Sequence, residues 1–222
     1  MKKLLALMLA AALTLSLTAC GGKDKKAFEA SQEAYNNVNA AYEIIENFGS
    51  DIYEAWRLGI YHGDEDDFDL AYLADELALT EDELQTGLAY LINGDEWDSM
   101  SDDEKQGKIA FAGRYFPVLL KSSDNVFSVC VYIVTAAYQA NGKIAETKEY
   151  LDTAKMQMRD LSENYSDYEH YPALKGYYTT TNSFFDFCQT PTGSFEQLTT
   201  TIEDYETTAR DYKADLDYIF ED

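Results

Sequence analysis

Apolar side chains recur alternately three and four residues apart over most of this chain, the spacing of one face of an α-helix. From Phe28 the series runs through Tyr35, Val38, Tyr42, Ile45 and Ile52 to Trp56, with Ser31 and Gly49 as small interruptions. It predicts one long helix over about residues 26–61. A second series, from Val126 to Tyr168, predicts a helix over 123–168; a third, from Leu174 to Ile219, predicts one over 172–220. Glu169-His170-Tyr171-Pro172 joins the last two. A link that short, with proline at a helix start, implies an antiparallel hairpin. The expected architecture is therefore all-α, an antiparallel bundle of three long helices.

Residues 63–121 follow another rhythm. The acidic loop Gly63-Asp64-Glu65-Asp66-Asp67 precedes short helices expected at about 68–78, 81–92 and 102–121. Thr80 with Glu83, and Ser101 with Glu104, have the spacing of capping boxes. Phe116-Pro117 is expected to bend or divide the last of these helices. We read 63–121 as a helical insertion at one end of the bundle, within a single helical domain covering 27–222. Two breaks strain the long-helix reading, Asn141-Gly142 in the second series and Pro191-Thr192-Gly193-Ser194 in the third, where Ser194 and Gln197 could cap a fresh helix. The three-four spacing survives both, so bent but continuous helices are expected. In a hairpin turning near residue 170, Gly142 would lie level with about residue 197. Cys130 would then stand roughly 30 Å from Cys188, too far for a disulfide, which predicts two buried free thiols.

The N-terminus carries an address. Lys2 and Lys3 precede an apolar run, Leu4 to Leu17, that is too short for an ordinary membrane span and has the layout of a signal peptide. The run ends in Leu17-Thr18-Ala19-Cys20. This resembles the lipobox of bacterial lipoproteins, a likeness confined to residues 1–20. The resemblance implies removal of a signal peptide, residues 1–19, and acylation of Cys20 on its thiol and its new amino group. Two or three acyl chains would hold the protein firmly at a membrane, since each buried CH₂ contributes roughly 0.8 kcal/mol. Residues 20–26 would then be the lipidated cysteine and a flexible polar tether.

Charge narrows the partners. The chain holds 17 basic and 41 acidic residues, net −24. Residues 1–19 contain two lysines and no acid, so their removal leaves 15 basic residues and a net charge of −26. Phosphate backbones demand a cationic face, which argues against nucleic acid, and anionic headgroups would repel the body of the protein. With 46% hydrophobic and 14% aromatic residues, the chain has ample material for a core.

Candidate chemistry is sparse. His62 and Glu65 have a metal-ligand spacing, with Asp67 and Asp69 nearby, but the ordinary reading is a solvated acidic loop, and His170 belongs to the other end of the expected bundle. The loops 64–69 and 93–104 lack the EF-hand glycine. Residues 73–84 resemble a helix-turn-helix, yet the would-be reading helix begins Glu81-Asp82-Glu83, which phosphate repels. The 18 tyrosines suit either a core of large rings or an aromatic surface for peptide or glycan, and the core is the simpler use. No catalytic constellation and no cofactor or metal site can be assigned. The expectation is a lipid-anchored, exported binding module on the outer side of a membrane, with an unknown protein, peptide or glycan as partner. A ligand-capture or sensory bundle with a small-molecule pocket is the alternative. A metal-assisted hydrolase using His62 and Glu65 is the third.

Overall fold

The computed structural model describes residues 22–220, all helix and connecting turns. The segment that resembles a lipobox, Cys20 included, lies outside the described residues. Eight α-helices follow one another: α1 (Gly22–Tyr61), α2 (Leu70–Asp75), α3 (Glu81–Asn93), α4 (Asp102–Ser122), α5 (Val126–Ala140), α6 (Lys143–Asn164), α7 (Tyr171–Gln189) and α8 (Phe195–Phe220), with a 3₁₀ segment at Gly94–Ser99. The all-α expectation holds. Of the three long helices the first holds, and the second and third are each divided in two.

Helix α1 is the axle. It begins at Gly22, so the segment expected to be a tether is helical from that point. Lys, Ala and Glu are good helix formers, and Lys25 meets Glu29 one turn on at 3.5 Å. The expected stripe is buried from Ser31 to Trp56, including both of its interruptions, Ser31 and Gly49, while Phe28 is half-buried. A second buried row, Ala27, Ala34, Ala41, Phe48 and Ala55, lies beside it. Two rows are needed because α5, α6, α7 and α8 all pack on α1.

The second series breaks at Gly142, whose φ of +82° ends α5 in the left-handed region that favours glycine. Its direction survives the break. Phe127 stacks on Trp56 at 5.1 Å, Tyr138 on Phe48 at 4.2 Å, and Asn37 bonds Gln157 at 3.0 Å. Helices α5 and α6 thus descend α1 in turn, antiparallel to it, as a bent rod.

The third series behaves differently and corrects the expectation of one helix over 172–220. Phe184 stacks on Tyr205 with ring centres 5.4 Å apart, and Gly176 lies against Tyr212. These pairings close an antiparallel hairpin about the turn at residues 190–194. The physical reason is the turn chemistry: Pro191 cannot continue the helical hydrogen bonds, Gly193 takes a φ of 109°, and Ser194 and Gln197 form the reciprocal cap that starts α8. Helix α7 runs parallel to α1, with Tyr177 at 5.8 Å from Tyr42. Helix α8 returns antiparallel, from Phe195 on Tyr53 (5.6 Å) to Phe220 on Phe28 (5.5 Å). The long elements therefore pass up, down, up and down. Arg210 of α8 bridges Glu46 at 2.8 Å and Glu206 at 3.1 Å across this packing.

Cys130 and Cys188 are buried free thiols, as expected, although the hairpin from which they were kept apart is not the one the chain makes. Burial pushes Cys130 up to about 12 and Cys188 well above its ordinary value. A thiol held protonated and out of solvent is a poor nucleophile. Neither cysteine should be alkylated by iodoacetamide at pH 8 in the native protein, and both should react in denaturant, as read by peptide mapping. Rapid native labelling of either would contradict the packing.

The tyrosines mostly serve the core. Tyr35, Tyr42, Tyr138 and Tyr177 are among the largest fully buried side chains, whereas Tyr61 is exposed. Buried side chains form one cluster that continues from the bundle into the insertion through Leu73, Leu84, Leu88 and Phe116.

Candidate functional site

The insertion, helices α2 to α4, sits at the end of α1 farthest from Gly22, and its seating begins with backbone contact. Gly87 of α3 faces α5 so closely that a Cβ there would fall 2.5 Å from the Ala137 nitrogen and 2.7 Å from the Ile133 oxygen. Backbone cannot swing aside as a side chain can. Gly87→Ala should therefore lower stability by about 1–3 kcal/mol and expose α3 and α4 to limited proteolysis before the bundle is cut. Unchanged stability in urea would mean that α3 is not seated so tightly.

A buried polar junction fixes the same joint. Asp51 of α1, only 2% exposed, accepts the Ala78 N–H at 2.8 Å and the Tyr138 hydroxyl at 2.8 Å. One carboxylate thereby ties α1, the approach to α3, and α5. Burial pushes the Asp51 carboxyl upward, opposed by the Ala78 N–H, the Tyr138 hydroxyl and the Lys143 charge. Burial, together with the neighbouring carboxylate, also raises Tyr138. Lys143, first residue of α6, lies 4.9 Å from the Tyr138 ring centre and 3.8 Å from Glu83. Glu83 also accepts Asn141 at 3.1 Å and completes the capping box with Thr80. Burial acts to raise Glu83, but the Thr80 N–H and hydroxyl, Lys143 and Asn141 outweigh it and hold the carboxyl below its ordinary value. With each Asp51 oxygen engaged by a donor, the junction acts as a clamp.

The other singled-out residues take structural posts. His62 Nδ1 lies 3.1 Å from Glu65, and the ring stands 5.5 Å from Tyr72. Asp69 caps α2 by accepting the Tyr72 N–H at 2.8 Å, while Asp67 is exposed. His170 pairs with Glu169 at 3.1 Å, at the far end of the bundle. Among the described residues no group of three or more His, Cys, Asp and Glu side chains is placed to hold a metal ion. The segment 73–84 is a compact helix pair, and Glu81, Asp82 and Glu83 sit in the first turn of α3, where the helix dipole favours them. Ser101 and Glu104 form the cap of α4.

Helix α4 is the element whose role sequence reasoning missed. It runs unbroken through Pro117, so the expected division at Phe116-Pro117 does not occur. Ala112, Phe116 and Leu120 turn inward. On another face Phe111 is 50% exposed and Val118 56% exposed, with Tyr115 stacked on Phe111 at 5.6 Å. The signal for this face was present in the charge pattern. Between Glu104 and Asp124 the sequence has four basic residues, Lys105, Lys108, Arg114 and Lys121, and no acid. Averaging charge over the whole chain conceals that run.

Among the described residues no helix is long and apolar enough to cross a membrane. No protein-family model, curated protein or solved structure matches this chain.

Proposed function

We propose that this chain is an exported, lipid-anchored binding module that displays its helical insertion outward from a membrane surface. Cys20 carries the lipid, and a protein, peptide or glycan partner is engaged at the cell surface or envelope. The observation that supports this reading is polarity along one helix. Helix α1 starts two residues after the lipobox cysteine and runs for 40 residues, about 60 Å, to the end where the insertion sits. An acyl group on Cys20 would leave the bundle as a spacer and the insertion at its distal end. The exposed Phe111 and Val118 of α4 belong to that distal part.

Labelled palmitate fed to cells expressing the full chain should appear on the protein and vanish with Cys20→Ala. Protease added to intact cells, after removal of any outer permeability barrier, should digest the mature domain. Label that persists in the Cys20→Ala protein, or a domain protected until the cells are lysed, would overturn the reading.

A further inference from the structure

We propose that the exposed face of α4 docks an acidic, amphipathic protein segment. This names a partner class for the display function above and rests on that reading. Phe111, Tyr115 and Val118 follow one another at spacings of four and three, so they form a single stripe along the helix. At about 100° per residue, Arg114 and Lys121 flank that stripe on one side and Lys108 flanks it on the other. The inner face already meets the core, so the stripe is a second apolar face, with Phe111 and Val118 exposed and Tyr115 half-buried between them.

The three cations are uncommitted. The Arg114 Nε bonds the Ala110 carbonyl of its own helix at 3.0 Å. Among the described residues none of Lys108, Arg114 and Lys121 forms an ion pair. Yet the chain as a whole carries −24. Unpaired cations around the exposed Phe111 and Val118, on so acidic a protein, are complementary to carboxylates flanking apolar anchors. Aromatic side chains and arginine are also the residue types that concentrate binding energy at interfaces.

Two other occupants fit less well. In a second copy two α4 helices face to face would oppose cation to cation. A bilayer would have to reach α4 at the end of α1 remote from the anchor.

The test uses the full chain in detergent micelles and a fluorescein-labelled, helix-forming peptide. The peptide carries leucines at i, i+4 and i+7, with glutamates on both flanks. Binding is read by fluorescence anisotropy at two salt concentrations. The expected result is saturable binding that weakens as salt rises, is lost when the peptide glutamates become lysines, and falls at least tenfold in the triple variant Lys108→Glu, Arg114→Glu, Lys121→Glu. Phe111→Ser with Val118→Ser should weaken binding at both salt concentrations. All five sites are exposed, and circular dichroism checks that the variants fold.

No binding, or equal binding by the triple variant, overturns the proposal. So does uptake of the protein by phosphatidylglycerol vesicles that the same substitutions abolish, which would assign the face to lipid. Self-association in sedimentation that they abolish would assign it to a second copy. Palmitate labelling reads the anchor independently: a labelled, displayed protein whose α4 binds no acidic peptide leaves the display function standing and removes this partner class.

Discussion

Asp51→Ala should lower the unfolding free energy by about 2–4 kcal/mol and loosen the insertion first, whereas Asp51→Asn should retain the fold. The alanine leaves the Ala78 N–H and the Tyr138 hydroxyl facing each other across a void, and each buried donor without a partner costs about 1–3 kcal/mol. Relief from burying a carboxylate offsets part of this. Asparagine keeps an acceptor for Ala78, and its amide can donate to the Tyr138 oxygen. The pH dependence separates the two effects. Burial holds the Asp51 carboxyl in the folded protein above its ordinary value of 3.8. Between the ordinary and the raised value the native state keeps a proton that the unfolded state has released. The stability that Asp51 contributes is therefore present at low pH and is lost as pH rises through the raised value. Subtracting the Asp51→Asn curve from the wild-type curve, both from urea unfolding, cancels the titration of the other carboxylates. That difference should fall as pH increases from about 4. A flat difference, or one of opposite slope, would mean that Asp51 is not held as described.

The Asp51 junction could not be seen in the sequence, because its partners lie 27 and 87 residues away along the chain. An aspartate inside an amphipathic helix reads as surface unless its donors are known. The same blindness concealed the second row on α1. Ala34, Ala41 and Ala55 fit a solvent face as well as a core one, since alanine suits any helical position, and only the number of neighbouring helices decides. What was legible carried local chemistry. The capping boxes at Thr80 and Ser101 set the starts of α3 and α4. At residues 190–194 turn chemistry overrides apolar phase. Periodicity continued through Pro191-Thr192-Gly193-Ser194 because five turn residues happen to preserve the phase, while the proline and the Ser194–Gln197 cap pointed to a new helix. Capping chemistry constrains the backbone directly, but phase only reports which face is apolar, and two separate helices can share it. Helix α4 shows the converse limit. Its apolar periodicity marks two faces, and nothing local tells which one the core covers; the uncovered one is betrayed by charge, in the acid-free run that carries Lys108, Arg114 and Lys121.

Phe184→Ala should be the most damaging single truncation in the bundle, at about 3–5 kcal/mol. The ring is fully buried, lies against Gly49 of α1 and stacks on Tyr205 of α8. Glycine has no side chain with which to fill the space, and α1 cannot shift toward α7 without disturbing the three other helices packed on it. The cavity would therefore persist, and its cost adds to the lost transfer free energy. Stability alone does not prove the topology, since any buried phenylalanine is costly. A double-mutant cycle does. In a continuous helix Phe184 and Tyr205 would stand roughly 31 Å apart, at 1.5 Å per residue, and truncating both would be additive. In the hairpin the rings touch, and Phe184→Leu combined with Tyr205→Leu should show a coupling of about 0.5–1.5 kcal/mol, the contribution of a stacked pair beyond its burial. Both leucine variants keep most of the apolar volume, so the cycle can be completed on folded protein. Additivity within error would return the chain to a single long rod and remove the up-down-up-down order from the bundle.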